Sequence, residues 1–354
     1  MQQPQHKNPW KTDFIVVAFV LLVAALSTGG WFFLHSRMQE TPPPSARALP
    51  PTRPIARITV GQPATIALGT GPSSEWPSSA EQIPLRHRFE ISLDPMQEFQ
   101  ADLRKALLHE LVPAFPELPN FLGVQTAESA DPAYRRVVFK LLDEAGNAQA
   151  DQRPAMLLAA DLVAQEIWCP SETKGQCDLV RGEFTQHKMN LAHSELGGVF
   201  YYQRDLLWRI WQQYPSTDWG ERTFILLLNQ GWDTSGNCAK GSDQFREVIR
   251  QGESFLLQRT TSSHREDVIL LVGQAYATWW SLSNETGSGG ASDYVDPKRY
   301  HEGAEQARLK AIGYFEHVVQ LAPETKLAEY ARQILAGLRE RQVMEGYKFF
   351  CIYD

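Results

Sequence analysis

Positive charge, cysteine and recognisable catalytic spacing are what this sequence has least of. Its 354 residues carry 34 Lys and Arg against 41 Asp and Glu, a formal net charge of −7. Residues 1–36 contribute only Lys7, Lys11 and Asp13, so the rest of the chain carries −8. An acidic body argues against nucleic acid as a partner, because phosphate binding needs a basic face. A local basic patch is still compatible with that average. Four cysteines occur, Cys169, Cys177, Cys238 and Cys351. The seven residues between the first two exceed the spacing of a zinc knuckle. "GTGPSS" and "GSGGAS" lack the Lys-Ser/Thr ending of a phosphate loop, and no Gly-x-Ser-x-Gly elbow is present. "HEL" at His109–Leu111 begins like a zinc-protease helix, but Pro113 and Ala114 stand where that helix must continue. His187 and His193 lie about 240° apart around a helix axis and do not share a face. No catalytic residue, metal or cofactor is expected.

Apolar material is plentiful. Hydrophobic residues make up 43% of the chain, with 17 Phe, 11 Tyr and 10 Trp, enough to exclude disorder of the whole. The longest uncharged run, "FIVVAFVLLVAALSTGGWFFL" at Phe14–Leu34, is 21 residues. As a helix it spans about 30 Å, the thickness of a hydrocarbon core. Trp31, Phe32 and Phe33 suit a membrane interface. Ala25-Leu26-Ser27 offers a small-residue site for a cleaved signal peptide, but the apolar run continues past it, which favours a retained anchor. Flanking charge is nearly balanced: Lys7, Lys11 and the terminal amine against Arg37, Arg47 and Arg53. A short tail, residues 1–13, ahead of a first span resembles a signal-anchor. That reading leaves the tail in the cytoplasm and exports the body from the inner membrane to the periplasmic side.

"TPPPSARALPPTRP" (Thr41–Pro54) dominates a proline-rich linker, residues 35–55. Proline fixes φ and removes amide donors, so the linker reads as an extended stalk; a ligand for a proline-reading module is the sharper alternative. Residues 56–93 hold short alternating runs and read as a small β element. From residue 94 to 354 the pattern is helical, giving a mainly α chain. Asp94, Pro95 and Gln97 predict a helix start, and Phe99, Leu103, Leu107 and Leu111 line one face before Pro113. Further helices are predicted over Arg136–Leu142, Pro154–Trp168, Leu191–Gln213, Arg222–Gln230, Phe245–Gln258, Asp267–Ser281, Gln306–Leu321 and Lys326–Glu345.

Two stretches, "DVILLVGQAYATWW" and "RLKAIGYFEHVVQLAPE", carry a repeat pattern. Ile269, Val272-Gly273 and Tyr276 stand at the first-helix spacings, and Ala311, Phe315, Val318 and Pro323 at the second. Together they resemble one tetratricopeptide (TPR) repeat, with Val318 in place of the usual alanine. The departure is an insertion of about 26 residues between the helices, over residues 282–307. "SNETGSGGASDYVDPKRY" lies within it and reads as a mobile loop. Weaker echoes occur at Leu207, Ile210 and Pro215, at Ile225, Leu228 and Trp232, and at Leu327, Tyr330, Ile334 and Leu338. The resemblance covers residues 200–340 and implies a helical solenoid; a plain helical bundle is the alternative. It also implies a concave, peptide-holding face with Asp267, Leu270, Gln274, Ala277 and Thr278.

Six tryptophans between Trp208 and Trp280 fit either core packing or an aromatic groove for a peptide or glycan. Asn284–Thr286 is a glycosylation sequon, meaningful only on a eukaryotic secretory route. Cys169 and Cys177, placed on either side of a polar turn, suit a small disulfide loop, and Cys238–Cys351 is a possible second bridge; four unpaired thiols are the alternative. These features lead to a membrane-anchored, exported TPR-like scaffold for protein partners in the cell envelope. The rivals are an envelope hydrolase acting on glycan or peptide, and the same scaffold facing the cytoplasm.

Overall fold

Phe99, Leu103, Leu107 and Leu111 recur every fourth residue and are all buried on one side of helix α1, Met96–Leu111. The computed structural model describes residues 95–122, 132–171, 174–194, 197–233, 243–284, 295–344 and 348–350. The chain divides into two compact units, Met1–Ser78 and Ser79–Asp354, and every described residue belongs to the second. The span Phe14–Leu34, the stalk, the 56–93 β element and both Cys238 and Cys351 lie outside the described residues. Among those described, no helix is long and apolar enough to cross a membrane.

The remaining helices are α2 (Pro132–Asn147), α3 (Arg153–Ala164), α4 (Lys174–Gln186), α5 (Asp205–Gln213), α6 (Asp218–Asn229), α7 (Gln244–Gln258), α8 (Arg265–Ser283), α9 (Ala304–Leu321) and α10 (Lys326–Arg339). Short 3-10 turns occupy Leu118–Asn120 and Pro297–Tyr300. Two helices are central. In α3, the alanine-rich run from Pro154 to Ala164 is buried almost all round, and in α8 so is the run from Val268 to Thr278. A helix apolar on every side must be wrapped by others. The first is packed by α1, α2, α5 and α6; the second by α6, α7, α9 and α10. Helix α6 touches both and joins the two halves of one core.

Three glycines set the close approaches. A Cβ on Gly220 of α6 would lie 1.9 Å from the Tyr214 carbonyl oxygen, at the end of α5. One on Gly252 of α7 would meet Val272 Cγ2 of α8 at 2.2 Å. At Gly273 of α8, Phe315 Cζ and Tyr314 Cβ of α9 stand 3.2 Å away. The α5–α6 and α7–α8 contacts thus depend on a missing side chain, and at Gly273 the α8–α9 contact is tight.

Strands β1 (Trp168–Pro170), β2 (Leu191–Ser194) and β3 (Val199–Tyr202) form an antiparallel sheet in the order β1-β3-β2. This corrects two expectations. Residues 191–213 form a hairpin followed by a nine-residue helix, not one helix. Gly198 takes φ +59°, and Val-Phe-Tyr-Tyr prefers a pleated surface to a helix. The Asp205 carboxylate closes the hairpin base, accepting from the Asn190 backbone N–H at 2.6 Å and its Nδ2 at 3.1 Å. Secondly, Cys169 does not close the preceding helix, which ends at Ala164. It lies in β1 and is disulfide-bonded to Cys177 in α4, with the Cα atoms 5.7 Å apart. Both cysteines are buried. The segment expected to be a mobile loop is anchored from Val295 onward: Asp296 caps the 3-10 turn, and buried Tyr300 donates to Asp243 Oδ1 at 2.8 Å.

Candidate functional site

The N-termini of α6 and α8 and the C-terminus of α7 meet around a shallow polar cleft of about 460 Å³, with walls that include Asp218, Glu221, Arg259 and Ser262. Thr217 caps α6 by accepting from the Gly220 N–H at 3.0 Å, which places Asp218 and Glu221 in its first turn. Beside the cleft, buried His264 precedes α8, with Nε2 2.9 Å from Asp218 Oδ1 and Nδ1 3.7 Å from Asp267 Oδ2. Burial works against its charge, yet the Asp267 and Asp218 carboxylates raise its pKa above the ordinary value. Burial likewise opposes the charge of Asp218, but Arg222 and His264 hold its pKa below the usual carboxylate range. Glu221 accepts from Arg259 at 3.1 Å and from the Ser262 hydroxyl at 2.6 Å.

A carboxylate beside each ring nitrogen favours the charged form of His264, and neither nitrogen is directed at a nucleophile. Ser262 donates to a carboxylate that an arginine already neutralises. The network joins α6, α7 and α8 and presents charge and hydroxyls to solvent. It forms no nucleophile–base–orienter chain. Among the described residues, no group of three or more His, Cys, Asp or Glu could hold a metal ion.

Two further polar clusters tie elements together. Tyr276 of α8 and Tyr314 of α9 are stacked with centroids 5.8 Å apart, and both donate to Glu253 Oε1 of α7, at 2.7 and 3.1 Å. Lys310 donates to the Tyr276 oxygen at 2.7 Å. Burial and the Glu253 carboxylate push both phenols well above their usual pKa. Asp161 of α3 is fully buried, and Arg204 donates to its Oδ2 from Nε at 3.1 Å and Nη2 at 2.7 Å. Burial raises the Asp161 pKa and Arg204 draws it back. Arg204 adopts φ +57° at the exit of β3, so this pair fixes the strained link between hairpin and helix.

The face expected to hold a peptide is closed by the chain itself. Leu270, Gln274, Ala277 and Thr278 are buried. Gln274 Nε2 donates to the Tyr330 hydroxyl of α10 at 2.6 Å, and Thr278 Oγ1 to the Lys348 carbonyl at 2.7 Å. Only Asp267 is not buried, and it stands beside His264. The reason is that α8 is packed on all sides, with α10 and residues 348–350 covering what a solenoid would leave open. The tryptophans follow the core reading: Trp219 and Trp280 are buried, and Trp208, Trp211, Trp232 and Trp279 pack against the core. Asn284 of the sequon donates from Nδ2 to the Trp280 carbonyl at 2.9 Å. The Asp218–His264–Asp267 and Glu221–Arg259–Ser262 groups were not legible in sequence, since partners 38 to 46 residues apart carry no local pattern.

No protein-family model, no curated protein and no solved structure matches this chain.

Proposed function

We propose that the chain is a single-pass, membrane-anchored scaffold whose TPR-like helical body is exported and engages protein partners in the cell envelope. The observation that carries this reading is the series of helix contacts at Gly220, Gly252 and Gly273: an added carbon would clash at the first two and be tightly packed at the third. Tandem helical hairpins pack in this way, each burying an apolar face its neighbour completes. The apolar span and proline stalk in the sequence supply the tether. The buried Cys169–Cys177 disulfide favours an oxidising compartment over the cytoplasm. Because α10 and the 348–350 segment cover α8, partners are assigned to outward surfaces. Leu257 of α7 and Leu309 of α9, 81% and 56% exposed, are two of the exposed apolar residues there, along with Trp168, Leu179 and Leu321.

Two experiments test this. Protease added outside sealed spheroplasts should digest the body while a cytoplasmic marker survives; protection until lysis would reverse the orientation. Photo-crosslinkers placed in the full-length chain at Leu257 and Leu309 should give a discrete adduct with one envelope protein. A crosslinker at buried Leu227 should give none. The absence of any discrete adduct from exposed positions would remove the scaffold reading.

A further inference from the structure

A second cleft, of about 220 Å³, lies between the end of α2, the start of α3, the turn after α4 and the helix α5. Its polar wall is Arg153, His187, Arg209 and Gln213, and its apolar wall includes Leu142 and Leu157. No carboxylate lines it. Both guanidinium groups are held from behind by carbonyl oxygens. Arg153 donates from Nε to the Ala145 carbonyl at 2.8 Å and from Nη2 to those of Ala148 at 3.1 Å and Gly146 at 3.4 Å. Arg209 Nη2 donates to the carbonyls of Lys188 at 3.0 Å and His187 at 3.2 Å. His187 is set by stacking on Phe139, with centroids 4.5 Å apart and planes 13° apart.

Elsewhere in the body, arginines such as Arg204, Arg222, Arg259 and Arg308 are paired with carboxylates. Arg153 and Arg209 have no carboxylate partner among the described residues. Nor does any described acceptor take Arg153 Nη1 or Arg209 Nε and Nη1. The carbonyl contacts do not cancel their charge. A helix C-terminus carries about half a negative charge, so two offset about one of the two positive charges. A net charge of about +1, three uncommitted donors and a partly apolar wall remain in a chain that is otherwise acidic.

We propose that this cleft binds a small oxyanion, a carboxylate or phosphate group, through Arg153 and Arg209. The uncommitted donors are single nitrogens, Arg153 Nη1 and Arg209 Nε and Nη1, each able to give a charge-assisted bond to an anionic oxygen, and the carbonyl bonds fix both planes before the ligand arrives. A cleft of about 220 Å³ has room for such a group and a short aliphatic stem against Leu142 and Leu157. The chemistry is shared by a free anion and by the terminal carboxylate of a peptide, and the test separates them.

Full-length protein in detergent is titrated calorimetrically with inorganic phosphate, with a dipeptide, N-acetyl-leucyl-leucine, bearing a free carboxylate, and with the same dipeptide amidated. Saturable 1:1 binding of either anion is expected, with none for the amide. Preference for the dipeptide would identify a chain terminus as the source, and preference for phosphate a free ion. Arg209→Gln should weaken binding by about 10- to 100-fold, the loss of one charge-assisted interaction. Since Arg209 also caps a turn, Gln213→Glu serves as a second variant. It adds a negative charge at an exposed position whose side chain makes no hydrogen bond in the structure, and should weaken binding without altering the melting temperature. No saturable binding by either anion would overturn the proposal, as would affinity unchanged in both folded variants.

Discussion

At the scale of single residues, space and charge each decide an outcome. Gly220 and Gly313 are both helical glycines, but their surroundings are opposite. A Cβ at Gly220 would overlap the Tyr214 backbone oxygen, which cannot rotate away, whereas a Cβ at Gly313 would meet nothing within 4 Å. Gly220→Ala is therefore expected to cost about 3 kcal/mol or more. Gly313→Ala should add about 0.5–1 kcal/mol by restricting the unfolded chain. Urea midpoints for the two variants, moving in opposite directions, check both. Charge acts at His264, whose pKa lies above the ordinary 6.5 in the folded protein. A proton held more tightly when folded adds stability that is complete below the unfolded pKa and is lost as pH rises through the folded one. The melting temperature should thus fall as pH rises from about 6.5 through the raised folded-state pKa, with a flatter profile in His264→Gln. An unchanged profile in that variant would remove His264 as the cause. Asp218, with its pKa lowered, works at the acid end: its contribution is lost as pH falls below the ordinary carboxylate value.

At the scale of elements, the Cys169–Cys177 bridge joins β1 to the first turns of α4 across a sequence separation of 8. On the chain-entropy estimate such a loop is worth about 2.5 kcal/mol. The Cys169→Ser/Cys177→Ser double variant should unfold at correspondingly lower urea, and reductant should lower the parent's midpoint but not the variant's. The spacing of these cysteines made a disulfide loop legible; its setting was not. The hairpin that receives β1 was hidden because 191–213 carries enough leucine and tryptophan to pass for one amphipathic helix. What separates them is local: Gly198 at φ +59°, Arg204 at φ +57°, and an Asp205 carboxylate bonded back to Asn190. Helix α4 was missed because its polar residues suggested a turn, and only burial of Cys177, Val180 and Phe184 against the core gives it a face. In contrast, α1, α7, α8 and α9 were legible within a few residues, since their apolar spacing is long and regular; α10 starts at Lys326 as expected but ends at Arg339, short of Glu345.

For the whole molecule, the C-terminal segment packs against α7 and α8. Phe245 N–H donates to the Phe349 carbonyl at 2.9 Å, Thr278 to that of Lys348, and Met344 N–H to Ser281 Oγ at 3.3 Å. Val343, Met344, Phe349 and Phe350 are buried. Side chains of this size are worth about 1.5–3 kcal/mol each when fully buried. Truncation after Gln342 should therefore lower the unfolding free energy by at least about 4 kcal/mol and expose α8 to hydrogen exchange. Retained stability with protected α8 amides would show the segment to be dispensable. The sequence by itself determined the mainly helical class and the membrane-length apolar run, and it offered the Cys169–Cys177 loop as one of its cysteine alternatives. Each is written in composition, periodicity or short spacing. Only tertiary structure decided which face of α8 is open, which carboxylates flank His264, and that Arg153 and Arg209 share one cleft. Those depend on elements tens of residues apart meeting in space, and no local pattern encodes where a distant helix will lie.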